Sequence, residues 1–473
     1  MPVTTEHRQY SENKGRWAIC RDAVAGEDVI KSRKIKYLPK LSGQNEKEYG
    51  AYLSRALWYN ASGRTRDGLT GLIFRKKPAV TVPSGMEEYL KDITCSGISI
   101  FEFAEKGIQD DITVGRGGIL VEFPRVEKAQ DEVITVDIAE ERGLRPYLTF
   151  YRAEDIVNWK EGRVNNKTFL TKLVLREIEY QSDPDDEFKI IKEYKYLVLD
   201  LFNGYYRQRK YRKKDGEYVQ DGEDIFPEKE NKPFTYIPFK FLGVQNATAN
   251  VEKPPILDLV QVNFSHFRTT ADLENGAHWT GVPTPVFIGL DDETKEIKLG
   301  SSQGITIPNP EGDAKFLEFT GQGLEALEKR LEKKEQMMAV LGARILAQEK
   351  KMVEAAETAR IHKAGESSVL ASIANTASES IQWALAVMAD WAGFSGDVSF
   401  ALNTDYIPEG MDSQMLTALL SAWQSGAITL EDLFIAMQKG EIIRSDKTFE
   451  EHQDELRTEP PAKGGIGIND ENE

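Results

Sequence analysis

PPILDLVQVNFSHFRTTADLENGAH (residues 254–278), LEALEKRLEKKEQMMAV (324–340) and VLASIANTASESIQWALAVMADW (369–391) decide how this chain folds. The first follows Lys253-Pro254-Pro255, which stops the preceding element and leads into a helix from Ile256 to about His278. Leu259, Val262, Phe267, Ala271 and Leu273 supply its apolar positions, and Asn275-Gly276 reads as a left-handed cap. The second helix, Leu324 to Val340, lines up Leu324, Leu327, Leu331, Met338 and Leu341 as a narrow stripe among Lys, Arg and Glu. The third runs from about Glu354 to Trp391. It spaces Leu370, Ala374, Ala377, Ile381, Ala384, Met388 and Trp391 by alternate steps of four and three, a coiled-coil-like seam with small residues interleaved. Long helices with thin stripes and charged backs are expected to pack on neighbours, including other copies of the same chain.

The chain has 473 residues, enough for two to four domains, and 40% of them are hydrophobic. Its 60 basic against 77 acidic residues, net −17, argue against wrapping a nucleic-acid backbone but suit a surface that nucleic acid slides past. Cys20 and Cys95 are too few for a disulfide framework or a zinc site and fit a reducing compartment. Met1 to His7 lacks a signal-peptide core, and no run approaches the roughly 20 apolar residues of a membrane-spanning helix. The expectation is a soluble protein made inside the cell.

Upstream of Pro254 the period changes once. Helices are predicted near Trp17–Ile30, from Glu46 to about Ala61 with an extension over Asp67–Phe74, and at Met86–Leu90 and Ile98–Gly107. Strands are predicted at Gly118–Phe123, Pro146–Tyr151, Leu170–Tyr180, Lys189–Val198, Leu199–Tyr206 and Pro238–Phe241, with turns at Asp183–Asp186 and Lys213–Gly216. Residues 1–250 are thus predicted to be α+β, helices first and a mainly antiparallel sheet after. Val286–Ile288 and Gly304–Pro308 read as short strands of an insert whose charged tip is Asp291–Lys298. Beyond Gly393 come a strand (Val398–Leu402) and two short helices, Met411–Gln424 and Leu430–Lys439. From Glu441 onward ten acids face four bases, and disorder is predicted.

No constellation supports an enzyme. Gly115-Arg116-Gly117-Gly118 lacks the Lys-Ser/Thr of a phosphate loop and precedes a strand, so it reads as a tight turn from helix to strand. The five histidines show no ligand spacing, no Gly-x-Ser-x-Gly elbow occurs, and the acids at 183–187 lack the glycine and closing glutamate of a calcium hand. No catalytic residue, metal or cofactor is predicted. Tyr205–Lys214 alternates aromatic and basic side chains; a solvated hairpin strand is preferred over a base-stacking platform, which needs an open groove.

The order of elements resembles the portal proteins (head-to-tail connectors) of tailed bacteriophages, in a subfamily known only as a domain of unknown function. The resemblance rests on Glu274-Asn275-Gly276-Ala277, the strand Pro285–Gly289, Gly312–Glu318, a charged helix with Gln336-Met337, the Leu341-Gly342-Ala343 turn, and Glu357-Thr358-Ala359 opening a long helix. It covers roughly residues 10–445.

The resemblance implies a portal fold: a mixed wing (1–253), stem helices (254–279 and 321–342) and a small β-containing clip (280–320). A tunnel loop (343–356), a long helix returning to the wing (357–408), a short helical crown (409–445) and the tail (446–473) complete it. It implies a homo-oligomeric ring, usually a dodecamer, at one capsid vertex of a virion assembled in the host bacterial cytoplasm. Double-stranded DNA would pass through its channel. The implied partners are the terminase large subunit, the major capsid and scaffold proteins and a head–tail adaptor, with no membrane. Gln348, Lys350 and Lys351 of the tunnel loop would face DNA, and Asp291, Asp292, Glu293 and Lys295 would lie on the clip toward terminase. The alternatives are a scaffold or head–tail adaptor without a pore, and an enzyme whose motif is unrecognised.

Overall fold

The computed structural model describes residues 2–124, 144–164, 166–183, 186–229, 232–280, 284–288, 311–317, 322–346, 368–406, 413–424, 427–440, 442–443 and 447–458. The chain divides into two units, residues 1–404 and 405–473.

The first unit opens with helices α1 (Arg8–Ala25), α2 (Glu27–Ser32), α3 (Glu46–Arg55) and α4 (Ala61–Ile73), strand β1 (Ala79–Thr81), and helices α5 (Glu87–Lys91) and α6 (Ile100–Val114). α1 begins nine residues before the expected Trp17, because His7 caps it by accepting from the Gln9 amide. The helix expected to run on from Glu46 is two. Ala56 leaves the helical region, and Asn60 starts α4 by accepting from the Gly63 amide at 3.0 Å. Reciprocal capping boxes, Asn45 with Glu48 and Ser99 with Glu102, fix the starts of α3 and α6. Gly115, at φ +70°, ends α6 and turns the chain into β2 (Arg116–Glu122), the helix-to-strand turn expected there.

Strands β3 (Tyr147–Arg152), β4 (Ile156–Val164), β5 (Lys167–Asp183), β6 (Asp186–Phe202), β7 (Tyr205–Lys214) and β8 (Glu217–Gln220) follow, then β9 (Glu228–Lys229), β10 (Lys232–Pro233) and β11 (Phe239–Gly243). β4 to β8 form a five-stranded antiparallel meander, and β11-β2-β3 a three-stranded antiparallel sheet. The Lys189–Val198 and Leu199–Tyr206 strands are a single β6 as far as Phe202. The chain reverses instead at Asn203-Gly204, φ +52° and +86°, a pair suited to a tight hairpin turn.

α7 (Leu257–Thr280) and α8 (Gln322–Leu346) pack against one another, and between them β12 (Thr284–Ile288) pairs antiparallel with β13 (Asp313–Leu317). α9 (Val369–Ala392) and β14 (Ser399–Ala401), which pairs with β1, complete the unit. The expected strand at 304–308 and hairpin tip at 291–298 lie outside the described residues.

α9 is the core of this unit. Leu370, Ala374, Ala377, Ile381, Ala384, Met388 and Trp391, the seam read as open to another copy, are all buried within the single chain. α9 packs on β11, β2, α6 and β14, and its small residues serve strands. Ser380 Oγ donates to the Phe241 carbonyl at 3.2 Å, and Ser378 Oγ accepts from the Leu402 amide at 3.0 Å. The stripe therefore needs no lateral partner.

The second unit contains α10 (Ser413–Gln424), α11 (Leu430–Lys439) and α12 (Phe449–Thr458). The disorder expected from Glu441 onward is corrected over 449–458. Thr448 and Glu451 cap α12 reciprocally, and Phe449 and His452 pack on the ring of Phe434 at 5.4 and 5.1 Å between centroids.

Candidate functional site

Acid–base pairs are plentiful, but the buried ones bind element to element. Arg21 bridges Asp110 and Glu154, tying α1 to α6 and to the turn before β4. Asp22 accepts from Arg33, Lys36 and Tyr37. Asp200 takes both Arg207 and Arg209, while Arg212 meets Glu179 and Asp221. The three arginines of the strand Tyr205–Lys214 are thus paired with carboxylates of their own sheet and of the turn after it, as in a solvated hairpin strand. Arg116 is fully buried. It donates to the Thr248 and Asn250 carbonyls and stacks over Phe241 and Trp159 at 4.2 and 4.5 Å. Burial, then Asp110 and Glu252, raises the nearby Asp111 carboxyl well above the usual range. Among the described residues no group of His, Cys, Asp and Glu could hold a metal, and no helix is long and apolar enough to cross a membrane.

What stands out is the α7–α8 hairpin. The first half of α7 is locked into the unit: Asn263 Oδ1 accepts from the Ser62 amide and hydroxyl, its Nδ2 donates to the Tyr59 carbonyl, and Phe264 stacks on Tyr37 at 4.3 Å. The second half emerges. Tyr52 Oη donates to Asp272 at 2.6 Å, and beyond that point Glu274, Ala277, His278 and Trp279 are exposed, Trp279 by 63%.

α8 covers one side of α7 along a polar clamp. Lys334 Nζ donates to the Ser265 carbonyl and Thr269 Oγ1, at 2.9 and 2.5 Å, and His266 Nε2 lies 3.2 Å from Glu335. Burial lowers the His266 pKa, against the opposing pull of Glu335, and burial likewise lowers that of Lys334.

Glycines stand at two contacts of the hairpin, Gly276 of α7 against α8 and Gly342 of α8 against α4. A Cβ on Gly276 would meet Leu324 Cδ2 at 2.7 Å, and one on Gly342 would meet Thr65 at 3.3 Å. Gly276 is thus a mid-helix contact and not the left-handed cap expected from Asn275-Gly276, since α7 runs on to Thr280. The Leu341-Gly342-Ala343 turn is likewise inside α8, so residues 343–346 are helix where a loop was expected.

Leu324, Leu327, Leu331 and Leu341 are half-buried and Met338 is buried, while Met337 and Val340 stay exposed beside them. Together α7 and α8 carry seven acidic and six basic residues, a mixed surface close to neutral. An open groove of about 630 Å³ separates α3 from the far end of α7, lined by Leu41, Lys47, Arg55, Asn275, His278 and Trp279 among others.

Gln348, Lys350 and Lys351, and Asp291, Asp292, Glu293 and Lys295, all lie outside the described residues, as do most of the segments that would form a tunnel loop and a clip tip. The groove and the polar clamp were not anticipated from the sequence. Lys334, Glu335 and His266 sit at ordinary helical spacings, and only the pairing of the two helices brings them together.

The architecture is that of an α+β body bearing a two-helix hairpin with a small β-ribbon between its helices. Residues 255–392 match the family model described as Domain of unknown function (DUF4055), in line with the unknown-function family to which the sequence resemblance pointed. No curated protein matches the chain. Among solved structures, it is similar to a chain in the neck of an empty gene transfer agent (GTA) particle computed with C6 symmetry. The two share 12% identity over 78% of this chain and 86% of that one, at a TM-score of 0.40. It is similar also to a chain of the native gene transfer agent virion (11% identity, 88% and 98% covered, TM-score 0.41). A third likeness is to the neck of the native particle computed with C12 symmetry (10%, 80% and 89%, TM-score 0.40). Likenesses at these scores are too slight to assign the fold.

Proposed function

We propose that this chain is the subunit of a phage portal ring, a conduit for double-stranded DNA at one capsid vertex, without catalysis of its own. The observation that carries the reading is the α7–α8 hairpin. Its proximal half is anchored in the body, its distal half leaves it, and β12–β13 lie between its helices. Met337 and Val340 remain exposed along α8, and a second copy alongside would bury them. A mixed, near-neutral pair of helices also suits a wall that DNA slides past with few ion pairs to break. In this reading Gln348, Lys350 and Lys351 follow α8 into the channel, where the lysines make weak, sequence-independent phosphate contacts. Asp291, Asp292, Glu293 and Lys295 lie between β12 and β13 and face the terminase large subunit, and later a head–tail adaptor. Capsid and scaffold proteins are the remaining partners, and the virion is the destination.

A head–tail adaptor or scaffold without a pore is the second reading, and one observation favours it. The α9 stripe, covered by its own sheet, removes one of the surfaces that would have called for lateral copies. Mass measurement and negative-stain microscopy of the purified protein separate the two. The portal reading expects a closed ring of about twelve copies with a central hole; a protein that stays monomeric under all assembly conditions refutes it.

A further inference from the structure

β5 and β6 run on past the rest of their sheet. β4 accompanies β5 only as far as Leu175, and β7 leaves β6 at Tyr196. Beyond those points, among the described residues, the two strands pair only with each other, to Asp183 and Asp186, as a ribbon that extends roughly 20–25 Å at about 3.4 Å per residue.

The cross-strand register puts Ile178 opposite Tyr194, Tyr180 opposite Lys192 and Ser182 opposite Ile190, so these side chains share one face; Phe188 lies just beyond Ile190, in the register shift next to the tip. That face continues the buried row Val174, Tyr196 and Val198, yet here it is bare. Phe188 is 87% exposed, Ile190 67% and Tyr180 66%. Soluble proteins rarely leave so continuous an apolar row in water. The ribbon is also acidic, with seven carboxylates against two lysines over residues 177–193.

The same chain carries a surface of opposite character. Residues 31–47 hold six basic residues and one acid; Lys31, Arg33, Lys36 and Lys40 pair with Glu27, Asp22 and Glu46, while Lys34 and Lys47 are exposed, and the segment leads through Leu41 into the groove between α3 and the end of α7, where Lys47, Glu48, Arg55 and Trp279 line the wall. This surface is firmly seated: Tyr37 is buried against Phe264 and bonded to Asp22, and the Leu38 carbonyl accepts from Tyr49.

We propose that the β5–β6 ribbon of one subunit docks, apolar face inward, into the groove lined by Leu41, Lys47, Arg55 and Trp279 on a second copy of this chain. The occupant is a second copy because both halves of the contact, apolar to apolar and acidic to basic, are present on one chain. A contact between two different surfaces of identical subunits propagates head to tail, and it gives a ring when its rotation closes. The inference rests on the ring reading and adds to it a clasp between the β5–β6 ribbon and the distal end of α7.

The test uses the full chain with Cys95, the exposed cysteine, replaced by Ser; Cys20 is buried. Phe188→Cys and Leu41→Cys are introduced singly and together, and the assembled protein is mildly oxidised. The double variant is expected to give a ladder of covalent oligomers beyond the dimer, which neither single variant can form. Independently, Tyr180→Ser/Phe188→Ser/Ile190→Ser, all surface changes, is expected to raise the concentration needed for half-assembly at least tenfold. Rings that form normally in the triple variant, with no ladder in the double one, overturn the clasp and leave the ring reading standing, the ribbon being then free for a different protein. A wild-type chain that never assembles overturns both.

Discussion

Ile381→Ala separates a helix that forms the core of one chain from a helix that seams two chains together. Ile381 is 2% exposed in the middle of α9, between Ala377 and Ala384 on the buried side. Truncation to Ala removes three carbons, about 2.4 kcal/mol of transfer free energy at about 0.8 kcal/mol each. The cavity left against β11 and β2 adds to this and brings the expected loss within about 2–5 kcal/mol. Because the side chain is covered by its own subunit, that loss belongs to the monomer. Urea unfolding followed by tryptophan fluorescence, at two protein concentrations about a hundredfold apart, should show the same midpoint shift at both. The reasoning fails if the loss is under about 1 kcal/mol in the monomer while assembly is weakened. That pattern would place Ile381 between subunits.

Other expectations follow from the hairpin. The His266 pKa is lowered from 6.5 by burial against Glu335, Lys334, Thr270 and Tyr59, so the unfolded chain takes up a proton that the folded chain resists. The stability tied to neutral His266 is complete above about pH 6.5 and declines as pH falls through that value toward the lower folded pKa. Melting temperatures at neutral and mildly acidic pH should therefore differ less in His266→Gln than in the wild type, and an unchanged difference would count against this. Gly276→Ala should leave stability unchanged or raise it by up to about 1 kcal/mol, since helix propensity favours Ala and only the flexible end of Leu324 must move. A left-handed cap would instead lose about 1–2 kcal/mol, so a clearly lower melting temperature would restore that reading. Lys350→Glu with Lys351→Glu should leave ring assembly intact and impair DNA packaging or retention; normal packaging in that variant would remove the loop from the channel.

Where turn chemistry or alternation was explicit, the sequence was legible. Asp215-Gly216, both at positive φ, turns β7 into β8 where Lys213–Gly216 was expected to, and Gly115 turns α6 into β2. The division of β6 at Val198 came from a run, Tyr196–Leu199, that is apolar on both faces because both are covered there. The stronger signal, Asn203-Gly204, lay five residues on. β4 was missed because Ile156–Val164 mixes Asn, Lys, Glu and Gly into its alternation, and pairing with β5 supplies what propensity does not. α12 was hidden by its acidic composition, although Thr448 and Glu451 stand at capping-box spacing. The groove and the His266–Glu335 contact depend on long-range packing that no local pattern encodes.

The opposite fates of α8 and α9 show which part of the periodicity argument holds. Both carry stripes at steps of three and four, so spacing alone does not distinguish them. Charge does. α9 has two charged residues in 24, Glu379 and Asp390, while α8 has nine in 25. A helix nearly free of charge can bury most of its circumference, and α9 does so under strands that reach its Ala and Ser positions. A helix with charge on most of its circumference can bury only one strip, and α8 spends that strip on α7. Met337 and Val340 are then left exposed beside Arg344 and Gln336, on a side that the described residues do not cover. The apolar side chains left open to a lateral contact therefore lie on α8 and at the exposed end of α7, where Trp279 stands, and not on α9. Replacing Met337 and Val340 by Ser should accordingly weaken assembly while sparing monomer stability, the inverse of the result expected for Ile381→Ala.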